Sequence, residues 1–534
     1  MSKRLIIVLA LAFVVGISFA AYAEVQNVKV SGDITMSGVA RNNFDLQKTP
    51  SLDAGFFGPS QLNASTYDDD EKDLFTITRV RVDADLTDNV AVTVRLLNER
   101  NWNGDSITGL AENNRNIGLA AANGANRESQ IDIDLAYVTL KEFLYSPLTI
   151  TAGRQELHFG NDFIMGDPDT NMIALKSNLA EGDLSSRKAF DAIRATLDYN
   201  PLVVDLIYAK IAEEVTTIND DTTLTGVNLK YDLDKSTAIE GYFFSKIRGN
   251  SATAATNLDG VDAITVGGAV IPVWAQDKKK SEKIFTLGSR LVNKTVKNLT
   301  LDLQGAWQFG SYNPKFDPNA RYDGAIPTTG VDEGNAHAAK AAERSAWATE
   351  VFAMYDLKDI SMISKYKPSV AAGYIYLSGD SRDRVGQKTY HGWDPMFENQ
   401  TFGHVLNSIM GFSNMNGYII TLQAKPIEDI NVKFDYVSAW FNKRYAEGRL
   451  AILSGVSGAR QFRMGNKKYI GQEFDLTMTY DYTEDVQFSL LGGMFFAGKS
   501  INKGNEISTG GTGANPSHQR ATATEVIGSM KVTF

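Results

Sequence analysis

Residues 74–96 read LFTITRVRVDADLTDNVAVTVRL. Thr78, Val80, Val82, Ala84 and Leu86 fall on one side of an extended chain. Phe75, Ile77, Arg79, Arg81, Asp83 and Asp85 fall on the other. The period is two, the period of a β-strand, with one apolar face and one charged face. Thr87-Asp88-Asn89 makes a tight turn, and Val90, Val92, Val94 and Leu96 then alternate with Thr93 and Arg95. The stretch therefore reads as a hairpin. In a soluble sandwich this pattern means core against water. In a membrane barrel it means lipid against a polar lumen.

The same rhythm runs to the end of the chain. Strands are expected at 25–40, 73–86, 90–99, 129–140, 147–158, 189–199, 202–211, 223–232, 237–248, 282–292, 298–310, 344–356, 367–378, 415–425, 429–440, 470–481, 485–497 and 522–534. The connections between them alternate short and long. Turns such as 87–89, 200–201, 426–428 and 482–484 face stretches such as 41–72, 100–128, 159–188 and 379–414. A sandwich has no reason to sort its loops by side, whereas outer-membrane barrels join strands by short periplasmic turns and long extracellular loops. The expected fold is an all-β, transmembrane, antiparallel up-and-down β-barrel of about eighteen strands. Aromatic residues at strand ends, Tyr199, Tyr208, Tyr231, Trp307, Trp347 and Tyr355 among them, suit the interfacial girdles of such a barrel.

Composition agrees. The 534 residues carry a formal net charge of −10 and no cysteine. A nucleic-acid binder would need a basic face, and without thiols there is neither a disulfide framework nor a Cys-ligated metal. At the N-terminus, Lys3-Arg4, the apolar run Leu5–Val15 and Ala21-Tyr22-Ala23 make a signal peptide over 1–23, cleaved before Glu24. The barrel then occupies 24–534. The last strand ends Met530-Lys531-Val532-Thr533-Phe534, an amphipathic strand closed by Phe. It resembles the signal read by the barrel assembly machinery of bacterial outer membranes.

Three stretches carry a family resemblance. One is Gly153-Arg154-Gln155-Glu156-Leu157-His158-Phe159-Gly160-Asn161-Asp162, followed by Phe190-Asp191-Ala192-Ile193-Arg194. The second is Gly373-Tyr374-Ile375-Tyr376-Leu377-Ser378-Gly379-Asp380, followed by Trp393-Asp394-Pro395-Met396-Phe397. The third is Phe495-Phe496 with Gly498 before the final strand. Together they resemble the alginate-export family of outer-membrane porins. That resemblance implies an eighteen-stranded barrel and passive export of an anionic polysaccharide through a narrow, positively lined pore. It also implies that Arg79, Arg81, Arg154 and Arg194 contact the carboxylates. Arginine suits that role, because its planar fork binds a carboxylate bidentately and never loses its charge. Strict alternation puts Arg154 with Leu148, Ile150 and Ala152 on the outer face, so a lumenal Arg154 requires a bulge at Gly153.

Inward parity adds Arg95, Lys230, Arg290 and Lys433 to the expected pore lining. It also sends Asp83, Asp134, Asp205, Glu240, Asp302, Glu350, Asp435 and Asp475 inward. Most of these charges are expected to pair along the wall. The mixed lumen keeps a second reading open, a general small-solute porin on the same scaffold. With no HExxH, nucleophile elbow or P-loop, the chain is not expected to be an enzyme. An outer-membrane enzyme or adhesin using the long loops is the third reading, with His158 near Ser185 or Ser186 as the pair a hydrolase would need. The loop 159–188 is a constriction if it folds inward and a lid if it does not. The expected partners are outer-membrane lipid and a saccharide or small polar solute, with no nucleic acid, metal or cofactor. The expected location is the bacterial outer membrane.

Overall fold

The computed structural model describes residues 27–44, 46, 70–102, 131–170, 179, 182–212, 221–249, 263–266, 269–272, 281–313, 342–380, 388–445, 450–455, 458–501 and 521–534. The signal-peptide segment lies outside them. Eighteen strands form the wall: β1 (Asn27–Asn42), β2 (Asp70–Thr87), β3 (Val90–Asn101), β4 (Asp132–Leu140), β5 (Leu148–Glu156), β6 (Ala189–Asp198), β7 (Leu202–Ala212), β8 (Thr222–Asp234), β9 (Thr237–Arg248), β10 (Glu282–Asn293), β11 (Leu299–Tyr312), β12 (Ala342–Asp356), β13 (Ser369–Leu377), β14 (Met415–Ile427), β15 (Ile430–Phe441), β16 (Tyr469–Asp481), β17 (Val486–Ala497) and β18 (Thr522–Thr533). Each pairs antiparallel with its chain neighbours. β1 pairs with β18 from Asp33 opposite Thr533 to Asn42 opposite Thr524, so the sheet closes on itself.

The seam is zipped to its last residue. Gly32 and Phe534 exchange backbone hydrogen bonds of 2.8 and 2.9 Å. A Cβ on Gly32 would stand 2.7 Å from the Phe534 ring, so the terminal ring lies where only glycine leaves room.

The alternation read from residues 74–96 fixes which face is which. Val28, Val30, Leu206, Leu287, Leu422, Leu476 and Val526 are exposed on the outside, and Arg95, Asp134, Asp205, Glu240, Gln304, Asp435 and Asp475 are buried inside. Strand pairing skips one residue between β3 and β4, where Arg95 faces Leu135 and Leu96 faces Ile133. Asp134 is the extra residue, and the bulge turns both Asp134 and Leu135 into the interior.

One expectation is corrected here. Gly153 adopts φ +124°, but β5 keeps unbroken register, with Gly153 opposite Ala192 and Arg154 opposite Asp191. No residue is inserted, so Arg154 stays on the face of Ala152 and Ile193 and does not line the pore. Gly153 is needed for another reason: a Cβ there would meet the Ala136 carbonyl at 2.2 Å.

A charge on the outer face should be costly. Leu476→Arg, in mid-strand on β16 and 52% exposed, is expected to lower the unfolding free energy by about 2–4 kcal/mol in a lipid-embedded urea titration. Thr477→Arg, one residue on and facing inward, should cost far less.

Candidate functional site

The wall cations sit in pairs. Arg79 lies 2.9 Å from Asp33, directly opposite on β1. Arg81 lies 2.7 Å from Asp83, which also accepts a hydrogen bond from Thr93 at 2.7 Å. Arg95 bridges Asp134 and Glu156, both at 2.5 Å. Arg194 lies 2.7 Å from Asp205, Arg290 is 2.5 Å from Asp302 and 3.7 Å from Glu240, and Lys433 is 2.8 Å from Asp435. Lys230 stands 3.7 Å from Asp232. Arg154 pairs with Asp191 at 3.2 Å on the outer face. Seven of the eight expected residues thus turn inward, and each has an acidic partner. The more open of these pairs, Arg81 with Asp83 and Lys230 with Asp232, contribute only about 0–1 kcal/mol apiece. Arg79, Arg81, Arg194 and Lys433 keep part of their side chain open. A visiting carboxylate can therefore share a guanidinium with its resident acid, since five N–H donors exceed what one partner uses.

The upper lumen is not open. Residues 157–170, which follow β5, and residues 388–414, which precede β14, come from nearly opposite walls and meet inside the barrel. Met165 bridges to Phe397. Gly166 and Asp167 both donate to the Phe397 carbonyl, at 2.7 and 2.9 Å, Phe397 donates to Ile164 at 3.0 Å, and Asn399 donates to Asp162 at 2.9 Å. Around this cross-strut Phe159, Phe163, Met165, Trp393, Phe397, Phe402, Leu406 and Ile409 bury themselves against inward residues such as Ala192, Leu224, Phe244 and Val437. Burial of apolar surface drives the loops inward, and the edge of the Phe190 ring packs against Phe397 with centroids 5.7 Å apart. The first two sequence blocks that carried the resemblance are therefore the two halves of this strut. The first part of the 159–188 loop, residues 159–170, folds inward, as a constriction does.

Wall charges hold the strut in place. The helix α1 (His404–Ile409) is anchored through its first turn: Val405 and Leu406 donate to the fully buried Glu473 at 2.7 and 2.8 Å, and His404 donates to Asp475 at 3.3 Å. A carboxylate in front of these unpaired N–H groups satisfies them. Asp183 ties Arg41 of β1 at 2.5 Å and accepts from Ser408 at 2.7 Å. Asn161 and Gln400, one from each segment, donate to Glu350 at 2.7 and 3.2 Å. Arg194 stacks its guanidinium over Phe159 at 5.2 Å, and Gly160 packs beside Glu240 and Arg290. The expected pore residues Arg194 and Arg290 thus touch the underside of the strut.

Arg41, Asp183, Glu473, Lys246, Arg248, Arg344 and Asp394 were not among the expected site residues. Inward parity would have found Lys246 and Arg344 beside Phe244 and Ala346. Asp394 lies in the Trp393–Phe397 block, but nothing there gives its partners, and nothing in the local sequence marks Asp183; both matter through contacts far apart in the chain. His158 binds Asp162 at 2.9 Å and Ser185 donates to Glu99 at 3.0 Å, so this His and this Ser do not face each other.

Glu398 lies where the segments cross. Burial, together with the neighbouring carboxylates of Asp167 and Asp162, pushes its carboxyl up to about 8, against the pull of the Gln400 amide and Lys188. Burial also raises Asp167, which Lys188 partly offsets. An undocked Glu398 would ionise near the usual 4.5. The docked state then holds one proton more between about 4.5 and 8, so docking is strongest below that window and weakens as pH rises through it. Amide exchange at Gly166, Phe397 and Asn399, corrected for the intrinsic rate, should accelerate from pH 6 to 9. Glu398→Gln should flatten the dependence.

Comparison with known proteins gives one family. The family model described as Alginate export matches residues 61–514. No curated protein matches the chain. Among solved structures, Pseudomonas aeruginosa OccK2 (OpdF) aligns at 7% identity with a TM-score of 0.49, over 96% of this chain and 99% of that one. Acinetobacter baumannii OccAB1 aligns at 11% identity and 0.47, over 96% and 99%. Pseudomonas aeruginosa OccK8 (OprE) aligns at 10% and 0.47, again over 96% and 99%. The match spans most of the closed barrel and both halves of the strut, and the chain belongs to the alginate-export family, a passive channel of the bacterial outer membrane.

Proposed function

We propose that this channel passes an acidic polysaccharide of polyuronate type by facilitated diffusion. The single observation that carries the reading is the set of part-exposed lumenal cations, Arg79, Arg81, Arg194 and Lys433. Each is held weakly enough by its own acid to greet a passing carboxylate. Arg95, Lys230 and Arg290 extend the set, while Arg154 has no place in it. A transported chain needs many loose contacts, because any single tight one would stop it. A general porin for small polar solutes remains the second reading. It is favoured by the acid beside each of the seven lumenal cations named above, which leaves little net positive field.

The distinguishing measurement is planar-bilayer conductance of the refolded barrel under a salt gradient, with oligouronates added. The expected result is anion selectivity and a current blocked by the oligomers. Arg81→Ala or Arg194→Ala should each weaken that block roughly tenfold, the loss of one charge-assisted contact of about 1.5 kcal/mol. Cation-selective current indifferent to the oligomers would leave the general-porin reading.

Two proposals concern how the chain reaches its membrane. Residues 1–23 are a cleaved leader, so N-terminal sequencing of the mature protein should begin at Glu24. The strand ending in Phe534 is what the barrel assembly machinery reads, so deletion of Phe534 should reduce the folded barrel in outer membranes several-fold.

A further inference from the structure

Four charged side chains from three wall strands converge at the extracellular rim. Lys246 and Arg248 come from β9, Glu282 from β10 and Arg344 from β12. Arg344 lies 2.9 Å and Arg248 3.1 Å from Glu282. A fifth charge is brought by the 390–397 segment, which runs along the same wall, Thr389 and Tyr390 pairing with Glu343 and Arg344 of β12. Asp394 sets one oxygen 2.5 Å from Lys246 and the other 3.5 Å from Arg248. Gln308 brackets the Asp394 backbone, accepting from its N–H at 2.9 Å and donating to its carbonyl at 2.6 Å. Arg344 donates to the Gly392 carbonyl at 2.8 Å and stacks over Tyr390 at 4.9 Å, while the Lys246 ammonium sits 5.1 Å from the Phe397 ring. Three cations face two carboxylates. Lys246 is buried beneath the strap, whereas the Arg248 side chain keeps 27% of its surface exposed.

We propose that Asp394 is an internal stand-in for a ligand carboxylate. The 390–397 strap is autoinhibitory, and an acidic saccharide chain opens the lumen by replacing Asp394 at Lys246 and Arg248. The identity of the ligand rests on the polyuronate reading; the strap and its latch do not. The exchange carries little electrostatic cost because it swaps one carboxylate for another. No buried cation is stranded, which would otherwise cost several kcal/mol. It also sets a chain-length threshold. Asp394 is tethered, with an effective concentration of about millimolar or more. A monomeric uronate offers one carboxylate and loses that competition. An oligomer offers several, to Arg248 first and then to Lys246 and Arg344 as the strap lifts. Release of the strap also pulls on Phe397, and so on the strut that fills the upper lumen.

The test is single-channel recording of the full barrel in potassium chloride, after unheated and heated gel mobility has shown each variant to be folded. Asp394→Asn is expected to raise open probability several-fold with no saccharide present; an unchanged value would overturn the latch. Lys246→Gln, the second route to the same break, should act alike, and the double variant should open no further than either single one. Fully additive effects would show that the two residues do not act as one latch. Oligouronates should raise the opening frequency of the unmodified protein and leave that of Asp394→Asn unchanged, with open-channel block in both, while glucuronate at equal carboxylate concentration leaves the opening frequency unchanged. Oligomers that only block, equally in both proteins, would overturn displacement. An Asp394→Asn channel that opens freely while oligomers affect neither protein would keep the latch and sink the polyuronate reading.

Discussion

In hydrocarbon no water is present to satisfy a free N–H or C=O, so a membrane-spanning sheet must have no edge. The β1–β18 pairing meets that requirement, down to the paired hydrogen bonds of Gly32 and Phe534. Everything else in the molecule follows from that closure. A closed sheet with an apolar outside has only one place for its polar side chains, and with a period of two half of every strand must go there.

The lumen that results is crowded with charge, and the charges settle one another. Arg79 finds Asp33, Arg194 finds Asp205 and Arg290 finds Asp302, each across a strand boundary. The same inward positions then serve a second purpose nearer the extracellular rim. Glu473, Glu350, Arg41 and Lys246 hold the two inward-folded segments rather than one another. The wall is thus a lining below and a set of mooring points above, built from one alternating pattern. The apolar residues of the strut supply the drive inward, and the wall charges supply the position.

The fold was legible because it rests on local rules. Alternation, turn chemistry and the sorting of loop lengths are all visible within about thirty residues of any strand, and all eighteen strands stand where alternation puts them. Inward parity likewise located Arg79, Arg81, Arg95, Arg194, Lys230, Arg290 and Lys433. Arg154 was misread through a family parallel that needed a bulge, whereas simple alternation had it right; the bulge occurs instead at Asp134, where no glycine announces it. The strut was only half legible. Its two blocks stand out as motifs, but their meeting depends on where β5 and β13 fall around the ring.

By itself the sequence determined the wall: strand count, the lipid-facing and lumenal faces, the seam and the sign of most lining residues. Those follow from the two-residue period and from the absence of water outside. Only the tertiary structure decided what fills the barrel. Whether Asp394 reaches Lys246, Asp183 reaches Arg41 or Phe397 meets Met165 depends on closure of the whole ring. That closure brings together segments more than a hundred residues apart, and no local pattern encodes it.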